Sequence, residues 1–515
     1  MTAQAHPQYT VDNIRHAAAA VIADEQTKFA TPFTDDELLE LVRSGESGDA
    51  KVFILLNIER FCFDHAAGQW FRFTGHYWQA DELNDVLAEC DQLIDLYMDL
   101  LKKWVWRKMA AIKSGDKEAV KGAKKIEEAI TKKIGHLRRR RHREDVLILA
   151  VAGQKSLGIS GREWDRDPYL LPFKNGILDL RTQQFRPGRT DDYIQTVCPI
   201  DWRGFDAPAT RWNKFLLEIF DGDVERVAYL RRLLGYGIAG LTVEHRLPIL
   251  WGPEGRNGKG TLLEVLGSVL GPLAGPVQGE LLLEQWRPRS SAAPSPDIMA
   301  LRGKRLVWAS ETDEGRKLNA GRVKWLVGGD TLVGRSPFGK REVTFQPTHT
   351  LLMLTNFRPQ VDPTDAALWE RIHLIEFNIS FVDKPTGDNQ KPRDKHLAVK
   401  LKEESAGIVA WLVQGYCEWQ DMGLLPPPQV TSATQKYRKA EDLIGQFFDE
   451  CCVIKADAFC RGGKIFETYQ GWCDERGVKS RRKKFYEKLT NQFISEKTES
   501  GKIYMGIGLL VPGDG

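Results

Sequence analysis

The sequence predicts an α/β core, preceded by an α+β, mostly helical domain and followed by a small C-terminal domain. The core is predicted because an apolar strand beginning at Leu247 runs into a glycine-rich loop and then a helix, which starts a βα pattern. The preceding domain is predicted because residues 84–147 lack proline and are rich in Leu, Ala, Lys and Glu. Three prolines at 426–428 stop a helix and separate a basic C-terminal segment from the core.

Local patterns predict the other elements. Aromatic and polar residues alternate in residues 68–81, which indicates strands. Residues 84–147 indicate a helical hairpin that is interrupted near residues 114–116, where Ser, Gly and Asp follow one another. We expect short strands and turns at 168–200, helices at 210–240 and a polar loop at 383–394.

The composition is that of a globular protein. The chain has 515 residues, a length that suggests about three domains. Hydrophobic residues make up 42% and charged residues 28% of the chain. No apolar run reaches the length of about 18 residues that a membrane span needs, and the N-terminus lacks the pattern of a secretory signal. We therefore expect a cytoplasmic protein without a membrane partner.

The charge is unevenly distributed. The net charge is only +3, but two basic runs occur at residues 132–143 (KKIGHLRRRRHR) and 479–484 (KSRRKK). Basic runs are usually solvated surfaces, and two of them in one chain favour a nucleic-acid partner. The eight cysteines form no CxxC pair and no zinc-finger spacing with histidine, so we expect reduced thiols.

The strongest motif lies in residues 247–266, LPILWGPEGRNGKGTLLEVL. A strand, a loop with three glycines and a lysine, and a helix form the context that a P-loop requires. Glycines let backbone N–H groups surround phosphate oxygens, the helix N-terminus adds positive potential, and the lysine adds a point charge. A simple turn before a helix is the alternative. The expected phosphate contacts are Gly252, Pro253, Glu254, Gly255, Arg256, Asn257, Gly258, Lys259, Gly260 and Thr261.

This loop departs from the usual P-loop in two ways. Five residues separate Gly252 from Gly258, instead of the usual four. Gly260 stands where Ser or Thr normally binds Mg²⁺, and Thr261 lies about 100° further round the helix. Thr261 therefore remains a candidate Mg²⁺ ligand whose assignment the sequence leaves open.

Four later segments follow this loop in order: RLVWASE (305–311), KWLVGGDTLVGRSPFGKREVTF (324–345), TLLMLTN (350–356) and DAALWERIHLIEF (365–377). Together with the loop, they resemble the superfamily 3 helicases, in the branch typified by the poxvirus and phage primase–helicases. The resemblance covers roughly residues 45–515. It implies an AAA+-like P-loop NTPase core that uses ATP and Mg²⁺.

The resemblance also implies individual catalytic roles. Glu311 ends a strand as a Walker B acid does, and it would activate water and help to hold Mg²⁺. Asn356 would sense the γ-phosphate. Arg371 would be an arginine finger that reaches the ATP of a neighbouring subunit, with Arg358 as the second choice. These residues and Lys259 form the expected catalytic set.

The segment at 324–345 contains two short strands that flank a turn at 336–339. In related motors this hairpin projects into the ring channel and grips DNA. The expected DNA contacts are therefore Arg335 before the turn and Lys340 and Arg341 after it. A charged, solvent-exposed hairpin without this role is the alternative.

The flanking parts resemble the same family less specifically. GQWFRFTGHYW (68–78) and FKNGILDLRT (173–182) resemble its domain before the motor, and the C-terminal segment resembles its winged-helix-like end. The lead-in is too short for a primase domain, so we expect a helicase without primase activity. The predicted parts are a lead-in at 1–45, a helical/β domain at 46–235, a motor at 236–382, a helical extension with the Pro-rich linker at 383–428 and a winged-helix-like domain at 429–515.

The resemblance implies an ATP-dependent DNA helicase that forms a ring, expected to be a hexamer, and moves 3′ to 5′ during replication of a phage, prophage or mobile element. Its partners would be single-stranded DNA or a forked duplex, further copies of itself, and a separate primase or replication protein in a bacterial host. An origin-binding initiator that uses ATP only to assemble on DNA is the alternative. A small-molecule P-loop kinase is disfavoured, because it needs neither a basic hairpin nor an arginine from a neighbour.

Overall fold

The computed structural model describes residues 33–285, 293–310, 314–335, 337, 342–499 and 501–510. The described residues form two compact units. One contains residues 33–166 and 189–195, and the other contains residues 167–188 and those from 196 onward. Among the described residues, no helix has both the length and the apolar character needed to cross a bilayer.

The first unit is mostly helical. The helices described in it are α1 (Asp35–Arg43), α2 (Gly45–Asn57), α3 (Asp85–Ala88), α4 (Asp91–Ser114), α5 (Lys117–Leu137) and α6 (Arg140–Ala150). Gly115 ends α4 in the left-handed conformation, with φ of 74°. Asp116 caps α5 by accepting a hydrogen bond from the N–H of Ala119 at 3.0 Å. The predicted helical hairpin and its break near residue 115 are therefore confirmed.

A four-stranded sheet completes the first unit, with the strand order β3-β2-β1-β4. Strands β1 to β3 are antiparallel, and β4 pairs with β1 in parallel. Their bounds are β1 (Phe61–Asp64), β2 (Gln69–Phe73), β3 (Trp78–Ala80) and β4 (Gly158–Ile159). The strands that the alternation in residues 68–81 predicts are therefore present. Phe71, Trp78 and Trp164 pack against one another in the small core of this sheet.

A buried ionic network joins four helices of the first unit. The carboxylate of Asp49 on α2 is fully buried and accepts hydrogen bonds from Tyr97 Oη and Lys133 Nζ, each at 2.9 Å. His142 Nε2 on α6 lies 2.8 Å from the same carboxylate. The Lys133 side chain is only 7% exposed and also donates to Gly45 O at 2.8 Å. Because a buried charge is tolerated only when it is paired and hydrogen-bonded, this network fixes α2, α4, α5 and α6 in one arrangement.

The second unit begins with a small antiparallel sheet and two helices. Its first elements are β5 (Leu170–Phe173), β6 (Gly176–Asp179), β7 (Gln184–Arg186), α7 (Thr210–Ile219) and α8 (Val224–Ile238). The strands expected at 168–200 and the helices expected at 210–240 are confirmed. These elements lie in the same unit as the motor segment, whereas the sequence grouped them with the preceding domain.

A five-stranded sheet forms the centre of the second unit. All of its neighbouring strands are parallel, in the order β14-β8-β13-β10-β9. Its strands are β8 (Leu247–Trp251), β9 (Ala274–Val277), β10 (Leu306–Ser310), β13 (Thr350–Thr355) and β14 (Ile372–Glu376). Two further pairs are β11 (Leu332–Gly334) with β12 (Val343–Phe345), and β15 (Ser380–Val382) with β16 (Gln390–Pro392). Strand β16 lies in the segment expected to be a polar loop, because pairing with β15 supplies its hydrogen bonds.

Both faces of the parallel sheet are buried. Leu250 and Leu352 belong to one hydrophobic cluster, whereas their chain neighbours Ile249 and Met353 belong to another. Successive strand residues point to opposite faces, so a nearly continuous apolar strand needs cover on both sides. The helices described from the loop after β8 to residue 422 are α9 (Lys259–Leu270), α10 (Pro296–Met299), α11 (Ala320–Val327), α12 (Ala366–Trp369), α13 (Leu397–Glu403) and α14 (Ser405–Met422).

The prolines at 426–428 do not separate the following helix from the sheet. Pro428 is the first residue of α15 (Pro428–Glu441), a position where a helix tolerates proline. Thr434 Oγ1 on α15 accepts a hydrogen bond from Leu374 N at 2.9 Å, and Tyr437 joins the sheet's core. The chain continues through α16 (Leu443–Cys451), β17 (Cys452–Val453), β18 (Phe459–Arg461), α17 (Gly462–Glu475), α18 (Arg482–Gln492), β19 (Ser495–Thr498), β20 (Gly501–Met505) and β21 (Gly508–Leu509).

We expect Asp49→Ala to lower the free energy of unfolding of the first unit by about 3–5 kcal/mol, because it leaves the Lys133 ammonium buried without its counter-charge. Urea denaturation followed by circular dichroism measures this change. Asp99→Ala is the matched control, since it breaks an ion pair with Lys102 whose side chains are 70% and 67% exposed. The control should keep the wild-type midpoint. Equal midpoints for the two variants would contradict a structural role of the network.

Candidate functional site

The loop between β8 and α9 places a helix N-terminus at the carboxyl end of β8. Gly258 precedes α9 with φ of 85°, and an added Cβ would lie 2.6 Å from Cγ2 of Ile219. Both conditions restrict this position to glycine. Leu262 N–H donates to Gly258 O at 2.9 Å, so the amides before Leu262 have no acceptor inside α9. Amides at a helix N-terminus are suited to binding an anion.

Gly252 is crowded because the loop folds closely over its own lysine. An added Cβ would lie 2.3 Å from Asn257 Nδ2, 2.6 Å from Phe377 O and 3.1 Å from Lys259 Nζ. Gly255 differs, because a Cβ there would meet no described atom within 4 Å. The two glycines of one loop therefore serve different purposes, close packing at Gly252 and an open turn at Gly255.

Strand β15 holds the outer part of the loop. Ser380 Oγ donates to Gly255 O at 3.2 Å, and Phe381 N–H donates to Arg256 O at 2.9 Å. Arg256 has φ of 61°, a left-handed conformation that is uncommon for a residue with a side chain. The two hydrogen bonds from β15 therefore fix the loop in a conformation that its sequence alone does not favour.

The other expected phosphate contacts differ in exposure. Pro253 and Glu254 are exposed, whereas Asn257 is buried and its Nδ2 donates to Glu254 O at 2.7 Å. A Cβ added at Gly260 would meet open space, so the position that usually carries a Mg²⁺-binding hydroxyl has room for one. Thr261 is half-buried on the first turn of α9. Among the described residues, no group of three or more His, Cys, Asp or Glu side chains is arranged to hold a metal ion.

Lys259 and Asn356 meet at the mouth of the loop. Lys259 is buried, and its Nζ lies 3.1 Å from Asn356 Oδ1 and 3.4 Å from Gly252 O. Asn356 follows the last residue of β13, which is a neighbour of β8 in the sheet. Parallel strands bring their carboxyl ends to one edge, so two side chains 97 residues apart come together. The structure thus brings together two of the four expected catalytic residues.

Arg358 lies at the same edge and is engaged within its own chain. Its guanidinium carbon is 4.0 Å from the centroid of the Trp251 ring, which is a cation–π distance. Its Nη2 is 3.6 Å from Glu376 Oε1 at the end of β14. Trp251 Nε1 in turn donates to Asn356 O at 3.1 Å. This stack ties the last residue of β8 to the segment that carries Asn356.

The segment after Asn356 is held by the C-terminal part of the chain. Three successive contacts do so: Tyr437 Oη bonds to Pro359 O, Glu441 accepts from Val361 N–H, and Lys484 pairs with Asp362. Burial opposes the charge of Asp362, but hydrogen bonds from Lys484 and from a neighbouring threonine lower its pKa to about 2. One lysine of the basic run at 479–484 is therefore used inside the fold.

Arg371 lies at the opposite edge of the sheet. It directly precedes β14, and its carbonyl accepts a hydrogen bond from Leu247 N–H at 2.7 Å, at the amino end of β8. The strand β8 has five residues, which place its two ends about 13 Å apart at about 3.3 Å per residue. Arg371 Nη1 donates to Ala367 O at 2.6 Å. Its guanidinium is therefore far from the loop of its own chain.

Some expected site residues lie outside the described residues: Glu311, Lys340 and Arg341. Strand β10, which precedes Glu311, ends at Ser310. The two strands predicted around the turn at 336–339 are present as the antiparallel pair β11 and β12. Arg335 follows β11, and its backbone N–H donates to Ser295 Oγ at 3.0 Å while its carbonyl accepts from Ser295 N–H at 2.9 Å.

Comparison with known proteins relates the chain to proteins of large DNA viruses. Residues 50–221 match the family described as "D5 N terminal like". A protein of Acanthamoeba polyphaga mimivirus named "Putative helicase" is 26% identical over 457 residues, which cover 84% of this chain and 46% of the viral protein. An African swine fever virus protein named "Putative primase" is 24% identical over 341 residues, 60% of this chain and 33% of that protein.

A further relative is a Frog virus 3 protein named "Putative helicase", 23% identical over 65% of this chain and 42% of that protein. The chain thus spans less than half the length of each of these curated relatives. The apo structure of the NrS-1 C-terminal region covers 59% of this chain and 76% of that chain, with 14% identity and a TM-score of 0.36. The matches make the chain similar to D5-like primase–helicases.

Two features of the site are not predicted by the sequence. The hydrogen bond from Ser380 to Gly255 joins residues 125 positions apart, and no local sequence pattern predicts it. The stack of Arg358 on Trp251 also joins distant segments. Its only sequence signals are the tryptophan directly before Gly252 and the arginine two residues after Asn356.

We expect Gly252→Ala to lower the free energy of unfolding of the second unit by about 1–3 kcal/mol, because its Cβ collides with the backbone oxygen of Phe377. Urea denaturation provides the measurement. Gly255→Ala is the matched control in the same loop, and it should be neutral or stabilise by up to about 1 kcal/mol. The described packing of the loop would be wrong if Gly252→Ala proved as stable as Gly255→Ala.

Proposed function

We propose that this chain is the motor of an ATP-dependent DNA helicase, which binds ATP at the loop between β8 and α9. The observation that carries the proposal is the meeting of Lys259 and Asn356 at the mouth of a glycine-rich loop, on the carboxyl edge of a parallel sheet. A lysine and backbone amides at a helix N-terminus suit the β- and γ-phosphates of a nucleotide. The viral relatives named as helicase and primase support a role in DNA replication.

In the proposed reaction, the amides at the start of α9 and the Lys259 ammonium hold the phosphate oxygens. Arrival of the nucleotide replaces the contact between Lys259 and Asn356 with contacts to phosphate. The Asn356 amide then orients the attacking water beside the γ-phosphate, because it can donate and accept at once. Glu311 would take up the proton of that water as its oxygen bonds to the γ-phosphorus, while the bond from that phosphorus to the bridging oxygen breaks and ADP leaves. Glu311, with Thr261 as the second candidate, would help to hold Mg²⁺, which would supply positive charge beside the transferred phosphoryl group.

The position of Arg371 supports an assembly of several subunits. Its side chain lies at the amino edge of the sheet and the loop at the carboxyl edge, so Arg371 would act on the ATP of a neighbouring subunit. A planar guanidinium stabilises the charge that develops on the γ-phosphoryl group. A head-to-tail contact of this kind closes into a ring when the rotation between subunits permits, and we propose a hexamer.

The proposed DNA grip is the turn between β11 and β12, with Arg335, Lys340 and Arg341. ATP hydrolysis would change the contact between subunits and move this turn along one DNA strand in the 3′-to-5′ direction. The partners would be single-stranded or forked DNA and a separate primase or replication protein.

We expect Lys259→Ala to lower the rate of ATP hydrolysis by at least about 100-fold, because it removes a charge that stabilises the transition state. Phosphate release, with and without single-stranded DNA, measures the rate. Lys214→Ala on α7, whose side chain is 71% exposed, is the matched control and should hydrolyse ATP like the wild type. Undiminished hydrolysis by Lys259→Ala would refute the site.

Strand displacement tests the helicase activity itself. We expect the wild-type chain with ATP to separate duplexes that carry a single 3′ tail. It should leave duplexes that carry a single 5′ tail intact. ATP hydrolysis without strand displacement from either duplex would instead support an initiator that uses ATP only to assemble on DNA.

We expect Arg371→Ala, assayed alone, to hydrolyse ATP at a rate about 1,000-fold or more below that of the wild type. This is the size of the contribution that arginine fingers make to the rate. Mixing it with Lys259→Ala should restore part of the activity, because an Arg371→Ala subunit keeps an intact loop that the neighbour's arginine can complete. Phosphate release from mixed assemblies, verified by differently tagged subunits, is the measurement. Mixed assemblies without any recovery would place Arg371 in a role within its own chain.

A further inference from the structure

The turn between α5 and α6 exposes four consecutive arginines. Residues 138–141, here called the arginine corner, are all exposed. Arg140 pairs with Glu144 on the surface of α6 at 2.8 Å. The side chains of Arg138, Arg139 and Arg141 make no ion pair or hydrogen bond with any described residue. The corner is therefore a concentrated positive charge that the described part of the chain leaves largely unneutralised.

A row of lysines on α5 leads to this corner. Lys117, Lys121, Lys124 and Lys132, here called the lysine stripe, are exposed. At 100° per residue they lie within about 80° of the helix circumference, and at 1.5 Å per residue they extend over about 22 Å. The core side chains of α5, such as Ile130 and Ile134, lie on the opposite side. Glu128 lies on the same face and pairs with Lys124 at 4.0 Å. Stripe and corner therefore form a basic track with one acidic interruption.

The stability of α6 does not explain the corner. Its N-cap, Arg139, makes no side-chain cap hydrogen bond, and its first turn contains no acidic residue. Cations near a helix N-terminus are unfavourable, because that end of the helix dipole is already positive. In the same unit, α1 begins in the favourable way, with the Thr34 and Glu37 capping box and an acidic first turn. Arg139, Arg140 and Arg141 therefore oppose the local preference of α6, whereas Arg138 is the C-cap of α5, where the helix dipole favours a cation.

The rest of the unit holds the corner in place. Lys133 and His142, on either side of the corner, both contact the buried carboxylate of Asp49. Arg143 Nε donates to Leu137 O at 2.6 Å across the turn. The positive charges are thus presented from a fixed base, which lowers the entropy lost when they bind a partner.

The second basic run of the chain differs from this one. Lys484 pairs with Asp362 inside the fold, and the guanidinium of Arg482 lies 5.5 Å from the centroid of the Phe466 ring. Part of that run is therefore explained by packing, whereas Arg139 and Arg141 of the arginine corner have no such explanation in the described residues.

We propose that the lysine stripe and the arginine corner bind the phosphate backbone of duplex DNA. Arginine and lysine contact phosphates without reading sequence, and arginine does so with two parallel hydrogen bonds. Single-stranded DNA is held largely by stacking of its bases on aromatic side chains, and residues 117–141 contain no Phe, Trp or Tyr. The track is therefore suited to a backbone whose bases are paired. The choice of DNA rests on the proposed function, but the binding requires neither ATP nor the loop after β8.

The test measures the affinity of the full chain for a short blunt DNA duplex as a function of salt, by fluorescence anisotropy without nucleotide. The variant combines Arg138→Ala, Arg139→Ala and Arg141→Ala. If all three contact phosphates, the slope of log K against log salt falls by about 2.7, at about 0.9 per contact. We expect the duplex affinity at low salt to fall at least about tenfold, with ATP hydrolysis in the absence of DNA unchanged.

The control removes the same charge from ion-paired positions of the same unit. It combines three substitutions on α4: Lys102→Ala, Lys103→Ala and Arg107→Ala, whose partners are Asp99 and Asp35 at 2.7–2.9 Å. This variant should keep the wild-type duplex affinity and slope. A second variant combines Arg138→Lys, Arg139→Lys and Arg141→Lys. It should keep most of the slope of log K against log salt, because it retains the charges. Loss of duplex affinity in both the alanine and the lysine variant, with a lowered thermal midpoint of unfolding, would mean that the arginines act through folding. That result would overturn the proposal.

Other outcomes also decide whether the proposal stands. An unchanged duplex affinity in the triple alanine variant overturns the proposal, and so does a loss confined to a single-stranded oligonucleotide. A loss of binding to polyglutamate or to anionic vesicles, with duplex binding intact, would assign the track to another partner. If the chain hydrolyses no ATP but the triple variant loses duplex binding, the proposed function fails and the inference stands.

Discussion

Parallel pairing of β8 with β13 and β14 is the constraint on which the second unit depends. It aligns Leu354 with Leu250 and Thr355 with Trp251, so the next residues of both strands, Asn356 and Gly252, emerge at the same edge. A slip of one residue would turn every core side chain of a strand to the other face. Because both faces are packed, the register is strongly specified. The geometry of the candidate site therefore follows from the hydrophobic packing of the sheet.

The same pairing explains why the expected residues separate into two groups. Residues that follow a parallel strand collect at one edge, and residues that precede one collect at the other. Lys259 and Asn356 belong to the first group, and Arg371 belongs to the second. A single chain therefore offers a loop on one edge and an arginine on the opposite edge.

Features with strong local signals could be predicted from the sequence. Gly115 and Asp116 predict the end of one helix of the hairpin and the start of the next. The strand, glycines and lysine of residues 247–259 predict the loop. Features that depend on distant partners could not be predicted. Asp49 meets Lys133 and His142 across 84 and 93 residues, and periodicity carries no information about such encounters. The prolines at 426–428 indicate a linker in the sequence, but Pro428 begins α15. No local pattern shows what that helix packs against.

Helix α15 has a practical consequence for anyone who divides this chain. The prolines at 426–428 are the obvious place to cut, but a fragment ending there would lose Tyr437 from the core beside β14 and the Thr434 acceptor of Leu374 N–H. The apolar surface so uncovered would favour aggregation. Insolubility of that fragment would result from the uncovered face of the sheet, and it would not test the loop after β8. The shortest soluble fragment of this region should extend at least to Glu441, where α15 ends.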